Sequence, residues 1–115
     1  MQKDEIVSGF ILELRRGTVI LCVLAKLNKP TYGYNLITEL SETGIAVEAN
    51  TLYPMLRRLE SQGLLESQWD TSETRPRKYY SLSERGHSLY IRLRDEWRQM
   101  SDDMEKLLNG EYRNE

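Results

Sequence analysis

The stretch Asn50-Thr51-Leu52-Tyr53-Pro54-Met55-Leu56-Arg57-Arg58-Leu59-Glu60-Ser61-Gln62-Gly63-Leu64-Leu65-Glu66 decides the fold. Leu52, Leu56 and Leu59, with Met55, recur at helical spacing and form one apolar stripe. Asn50, Thr51, Tyr53, Arg57 and Ser61 fall on or near the opposite side. Gly63 ends the helix. Pro54 removes a backbone donor and strains the preceding turn. It is tolerable only near the N-terminal end, which sets the start near residue 49. The result is a helix over about residues 49–62 with an apolar back and a polar front.

Upstream, Val7, Phe10, Ile11 and Leu14 share one face of a short amphipathic helix over residues 4–15, which Gly17 interrupts or bends. Val19 to Leu27 is apolar nearly all round, so that helix is central and buried. Asn28-Lys29-Pro30 stops it, because the residue before proline avoids the helical region. Tyr34, Leu36, Ile37 and Leu40 mark a helix of about ten residues by the 3.6 period, with Gly44 as its C-cap.

Downstream, Leu64–Trp69 and Lys78–Leu82 read as two short strands. Asp70–Arg77 between them is rich in turn formers. One of the alternating Tyr79 and Tyr80 faces the core. Ser83 is a good N-cap for a last helix over about residues 84–108. There Tyr90, Leu93, Trp97, Met100, Met104 and Leu107 are spaced 3, 4, 3, 4, 3, a heptad seam. The small body leaves little to cover so long a stripe, and a symmetric partner chain giving a C2 homodimer is the economical explanation.

The expected fold class is mainly α with a small β-hairpin: a winged helix-turn-helix plus a long C-terminal dimerisation helix. Residues 1–17 form an N-terminal arm with dimer contacts, 18–82 the winged helix-turn-helix, and 83–115 the dimerisation helix and an acidic tail. In such a fold the helix over 49–62 enters the major groove and the hairpin is the wing. Asn50, Thr51 and Tyr53 then offer hydrogen-bonding groups at the end that reaches base edges. Arg57, one turn on, suits a phosphate or a guanine. Arg75, Arg77 and Lys78 neutralise phosphates from the wing, and Tyr34 and Tyr53 are candidate phosphate contacts.

Composition agrees once its distribution is considered. The 115 residues make one domain, and the 39% hydrophobic content is low for a self-sufficient globule. The net charge of −2 argues weakly against nucleic acid, but residues 1–99 hold 14 basic and 13 acidic side chains. The acidity sits in the C-terminal end. The longest apolar run, Val19–Ala25, is too short to span a bilayer, and Met1–Glu5 does not resemble a secretory leader. A cytoplasmic location without membrane contact is expected. One cysteine and one histidine supply neither a disulfide nor a metal site. No nucleophile–base pair or phosphate loop stands out, so neither an enzyme nor a cofactor is expected.

The quoted stretch, with Gly33-Tyr34 before it and Arg75-Pro76-Arg77-Lys78-Tyr79-Tyr80-Ser81-Leu82-Ser83-Glu84-Arg85-Gly86 after it, resembles the signature of the PadR family of bacterial transcriptional regulators. The likeness covers roughly residues 15–90, with its motifs in order and at the family's spacing. The size and the long last helix resemble the short subfamily that includes multidrug-sensing repressors. The resemblance implies a homodimer on palindromic promoter DNA, and repression relieved by small planar or aromatic effectors. It also implies that Trp97 lines a flat pore at the dimer interface, beside Met100 and with Phe10, Ile11 and Leu14 of the arm as neighbours. Nearby Asp95, Glu96, Asp102 and Asp103 would favour cationic molecules. Val7, Tyr90, Leu93, Trp97, Met104 and Leu107 would then build the dimer. The chain departs from the family pattern at Glu48, where the N-cap is usually Ser, Asp or Asn. Either the cap is weak or the helix begins later, at Asn50.

Plainer readings stand beside these. Trp97 on a heptad seam is also ordinary dimer core, and Arg57 and Arg58 also suit a solvated face. The wing cations also suit a soluble loop tip. Cys22 reads as an inert core thiol and His87 as exposed. A winged helix that binds another protein instead of DNA remains the alternative function.

Overall fold

A computed structural model describes residues 3–110. The chain runs α1 (Lys3–Arg16), α2 (Val19–Lys26), β1 (Thr31–Tyr32), α3 (Gly33–Glu42), α4 (Ala49–Ser61), β2 (Leu65–Asp70), β3 (Arg77–Leu82) and α5 (Glu84–Leu108). Helix α4 starts at Ala49, so Pro54 lies in its second turn and the Asn50 carbonyl loses its helical donor there. Asn50 itself is exposed.

The hairpin is joined by a strand the sequence did not announce. Strand β1 pairs antiparallel with β3, Thr31 opposite Tyr80 and Tyr32 opposite Tyr79, in the order β1-β3-β2. Two residues are too few to display a period of two. Thr31 is buried, and its hydroxyl donates to the Lys29 carbonyl at 2.9 Å.

One apolar core joins the helices to the sheet. Leu24 and Val23 of α2 meet Leu36 and Leu40 of α3, Leu52, Leu56 and Leu59 of α4, Leu65 of β2 and Tyr80 of β3. The stripe read on α4 is therefore its buried face. Of the tyrosine pair, Tyr80 is core and Tyr79 half-buried. Cys22 is half-buried too, and burial pushes its thiol pKa up, which suits an inert thiol.

The base of α5 is locked to this head. The Ser83 hydroxyl accepts from the Gly86 N–H at 3.0 Å and donates to the Gly63 carbonyl at 2.7 Å. A Cβ at Gly86 would collide with the Leu64 carbonyl, so α5 passes the wing at glycine distance. Beyond Leu93 its apolar side chains Trp97, Met100, Met104 and Leu107 are exposed. The molecule is elongated, 65 × 38 × 22 Å.

Helix α1 is different from the rest. Its apolar residues Ile6, Val7, Phe10, Ile11, Leu12 and Leu14 are all exposed, Phe10 at 67%. Among the described residues Arg15 Nη1 donates to the Gly44 carbonyl at 3.2 Å, and the Thr18 hydroxyl donates to the Arg15 carbonyl at 2.7 Å. No helix among the described residues is long and apolar enough to cross a membrane.

Candidate nucleic-acid interface

Helix α4 turns Asn50, Thr51 and Arg57 to solvent while Leu52, Leu56 and Leu59 hold its back to the core. Its N-cap is Glu48 in extended conformation, with no side-chain hydrogen bond to the first turn. Of the two possibilities at this position, the uncapped start is the one found. Helix α3 begins beside it. Tyr34 projects outward at 72% exposure, and the Tyr53 ring covers Gly33, where an added Cβ would lie 2.5 Å from Tyr53 Cε1.

Strand alternation sorts the wing cations onto two faces. Lys78 and Tyr80 share the face towards α4 with their cross-strand neighbours Trp69 and Ser67. Arg77 and Tyr79 share the other, where Tyr79 meets Tyr32 edge to face. Each of the two cations already has a partner. Lys78 Nζ lies 3.2 Å from Glu60 Oε1 of α4, and Glu60 also accepts from the Ser67 hydroxyl. The Ser67 hydrogen bond, with the Lys78 ammonium beside it, holds the Glu60 carboxyl below the usual range. The same contact raises the Lys78 ammonium. The Lys78 ammonium also lies 5.2 Å from the Tyr80 ring centre and 6.0 Å from that of Trp69. Arg77 stacks over Tyr32 at 4.8 Å and approaches Glu73 at 3.8 Å. Arg75 is exposed at the turn, and neither it nor Arg57 makes an ion pair among the described residues.

Four of the expected contacts meet at one place. Tyr34, Tyr53, Arg77 and Lys78 line a hollow of about 270 Å³ between the start of α3 and the wing. Asn50, Thr51 and Arg57 lie along the exposed front of α4, and Arg75 lies at the turn between β2 and β3. Two participants were missed. Trp69 lines the hollow at 63% exposure. Its position opposite Lys78 follows from the hairpin register, a signal present in the sequence once the turn is counted. Glu60 is the other; its contact with Lys78 crosses from helix to strand and leaves no local sequence signal.

The chain has a second concavity, lined in part by α2. A groove of about 500 Å³ runs between the α1–α2 corner and α5, walled by Leu14, Leu21, Leu93, Trp97, Met100 and Met104. Leu14, Trp97 and Met100 are thus gathered as expected. Phe10 and Ile11 are not: they stand exposed further up α1. Of the seam, Tyr90 and Leu93 pack partly on the chain's own core, whereas Trp97, Met100, Met104 and Leu107 are exposed. Val7 is exposed on the arm. Among the acids named near Trp97, Glu96 lines the groove and pairs with Arg92 at 3.5 Å, while Asp95 pairs with Arg94 at 3.2 Å.

The fold recurs in known proteins. Residues 20–92 match the model of the transcriptional regulator PadR-like family. The transcriptional regulator Rv3488 of Mycobacterium tuberculosis is 36% identical over 77 residues, which cover 66% of this chain and 72% of that protein. A crystal structure of a PadR family transcriptional regulator from Eggerthella lenta DSM 2243 superimposes with a TM-score of 0.86 at 50% identity, covering 91% of this chain and 94% of the other. A PadR-like transcriptional regulator from Bacillus cereus ATCC 14579 gives 0.77 at 28% identity, over 85% and 98%. The match takes in the helix-turn-helix, the wing and the first turns of α5, and the likeness of structure extends it over nine-tenths of the chain. This chain belongs to the PadR-like family of transcriptional regulators.

Proposed function

We propose that the chain acts as a homodimeric repressor that binds a palindromic promoter site and is released by a planar aromatic effector. One observation carries this reading. The apolar faces that α1 and α5 leave exposed converge at the groove through Leu14 of the one and Trp97, Met100 and Met104 of the other, and none of these residues belongs to the helix-and-wing surface. A surface of that kind marks an association site, and a partner chain related by a two-fold axis covers it while doubling the DNA contacts.

In this reading residues 1–17 and 83–115 serve dimerisation, through Val7, Tyr90, Leu93, Trp97, Met104 and Leu107. Residues 18–82 serve DNA. Asn50, Thr51 and Tyr53 read base edges in the major groove, and Arg57 takes a phosphate or a guanine. Tyr34, Arg75, Arg77 and Lys78 hold the backbone. The effector stacks between the two Trp97 rings, Met100 adapts to its shape, and Phe10, Ile11 and Leu14 close the pore from the arms. Binding there shifts the angle between the two heads, and the recognition helices no longer match half-sites about 34 Å apart.

The test is fluorescence anisotropy of DNA from the gene's own upstream region, with random duplex alongside and a salt series for both. Sedimentation of the same sample reports the dimer. Tight, salt-sensitive preference for the promoter DNA, lost on adding planar aromatic compounds, supports the reading. A chain that ignores both duplexes at low salt is the protein-interaction module instead.

A further inference from the structure

Among the residues of β2 and β3, Trp69 is the large hydrophobic side chain left exposed, at 63%. It does not point to the outside of the hairpin. Opposite Lys78 in the register, it shares the sheet face that looks towards α4. There it forms one wall of the hollow that Tyr34 of α3 and Tyr53 of α4 also line. With Tyr32 and Tyr80 these make five aromatic residues around a space of about 270 Å³. Tyr34 at 72% exposure confirms that the rim is open to solvent.

The cations of this hollow are less free than their number suggests. Lys78 faces Glu60 and Arg77 faces Glu73, so each positive charge is answered by a carboxylate. Phosphate attraction at this spot is weakened accordingly, and the apolar surface of the indole is the strongest unused feature that remains. We infer that Trp69 is a DNA-contact residue, whose ring packs against a deoxyribose of the duplex backbone while the adjoining phosphate meets the hydroxyls of Tyr34 and Tyr53. The contact is assigned to the sugar and not to a base because base reading falls to Asn50 and Thr51 of α4 in the function proposed above. It therefore adds affinity without sequence preference. It also adds no charge neutralisation, so it contributes nothing to the salt dependence.

This inference rests on the DNA-binding reading above, and one titration separates the two. Wild type, Trp69→Phe and Trp69→Ala are titrated against promoter and random duplex at several salt concentrations. The expected result is an about tenfold loss for Trp69→Ala, a size usual for truncating a contact tryptophan. The loss is equal on both duplexes, with an unchanged slope of log affinity against log salt. Trp69→Phe retains most of the affinity. Thermal melting of each variant shows whether the wing stays folded; if alanine lowers the midpoint, the phenylalanine variant still keeps an aromatic surface and decides the matter. Affinity of Trp69→Ala within twofold of wild type overturns the inference. So does a loss confined to one duplex, or a slope reduced by about one, which would mean that the ring only positions Lys78. A wild type that binds neither duplex overturns the DNA-binding reading itself, and this inference with it.

Discussion

Glu60 of α4 and Lys78 of β3 stand 3.2 Å apart, carboxylate to ammonium, and tie the wing to the helix that lies against it. The pair is about one-third exposed on either side. Its Coulomb term is therefore partly screened, and its geometric effect, fixing the angle of the wing, matters as much as its energy.

Replacing Glu60 by Gln separates those two effects, which have opposite signs. The wing loses an ion pair, and stability falls by about 0.5–1 kcal/mol. The Lys78 ammonium loses its counter-charge and becomes available to phosphate. DNA affinity rises, and the salt slope steepens by up to about one. Chemical denaturation and anisotropy of the same variant check both.

The same pair dictates an acid limb. The folded Glu60 carboxyl is held below its ordinary value, so its contribution is complete above the unfolded glutamate value of about 4.3 and disappears as pH falls through the lowered folded value. The raised Lys78 ammonium acts only on the far alkaline side. Asp70, lowered by its hydrogen bonds from Ser72, adds to the acid limb of both proteins. The stability difference between wild type and Glu60→Gln is expected to be constant from about pH 5 to pH 9 and to close below about pH 4. Urea midpoints across that range measure it.

Gly86→Ala drives a methyl into the Leu64 carbonyl at the root of α5. Either the helix lifts from the wing or the Ser83 cap opens. A loss of about 1–3 kcal/mol follows, whereas Gly9→Ala, with open space around it, costs nothing by this route. Parallel thermal melts distinguish the two positions.

Phe10→Glu places a charge on the exposed face of α1 without touching the core of the head. If a second chain covers that face, sedimentation moves from dimer to monomer and apparent stability becomes independent of concentration. A dimer that survives intact would move the interface elsewhere.

Trp97→Ala removes the flat wall of the groove. Response to planar ligands is expected to vanish while DNA binding in their absence stays largely intact. With a coupling of about 1–3 kcal/mol in the wild type, the lost response amounts to about 5- to 150-fold in operator affinity. Anisotropy with and without ligand reads it directly.

Legibility followed the range of the signal. Helix α5 was readable to the residue, since Ser83 caps it and the heptad runs on to Leu107. The stripe of α4 was equally plain. Strand β1 was not, because Thr31 and Tyr32 owe their state to Tyr80 and Tyr79 of a distant strand. In the sequence the seam on α5 is one continuous surface. The structure divides it: Tyr90 and Leu93 pack partly on the core, whereas Trp97, Met100, Met104 and Leu107 are exposed. At the site, residue type identified Arg57, Arg75, Arg77 and Lys78 as cations. The partners of Lys78 and Arg77, Glu60 and Tyr32, become visible only once helix and strands are placed side by side.

The lock between Gly86 and Leu64 makes α5 a lever. Met104 on the groove wall and Gly86 at the head are eighteen residues apart, about 27 Å of rigid helix. A tilt of only about five degrees at one end moves the other by about 2 Å over that length. In the dimer proposed above, a ligand the thickness of one aromatic ring therefore needs no rearrangement inside either head. It has only to wedge the shafts, and the distance between two reading helices changes with them.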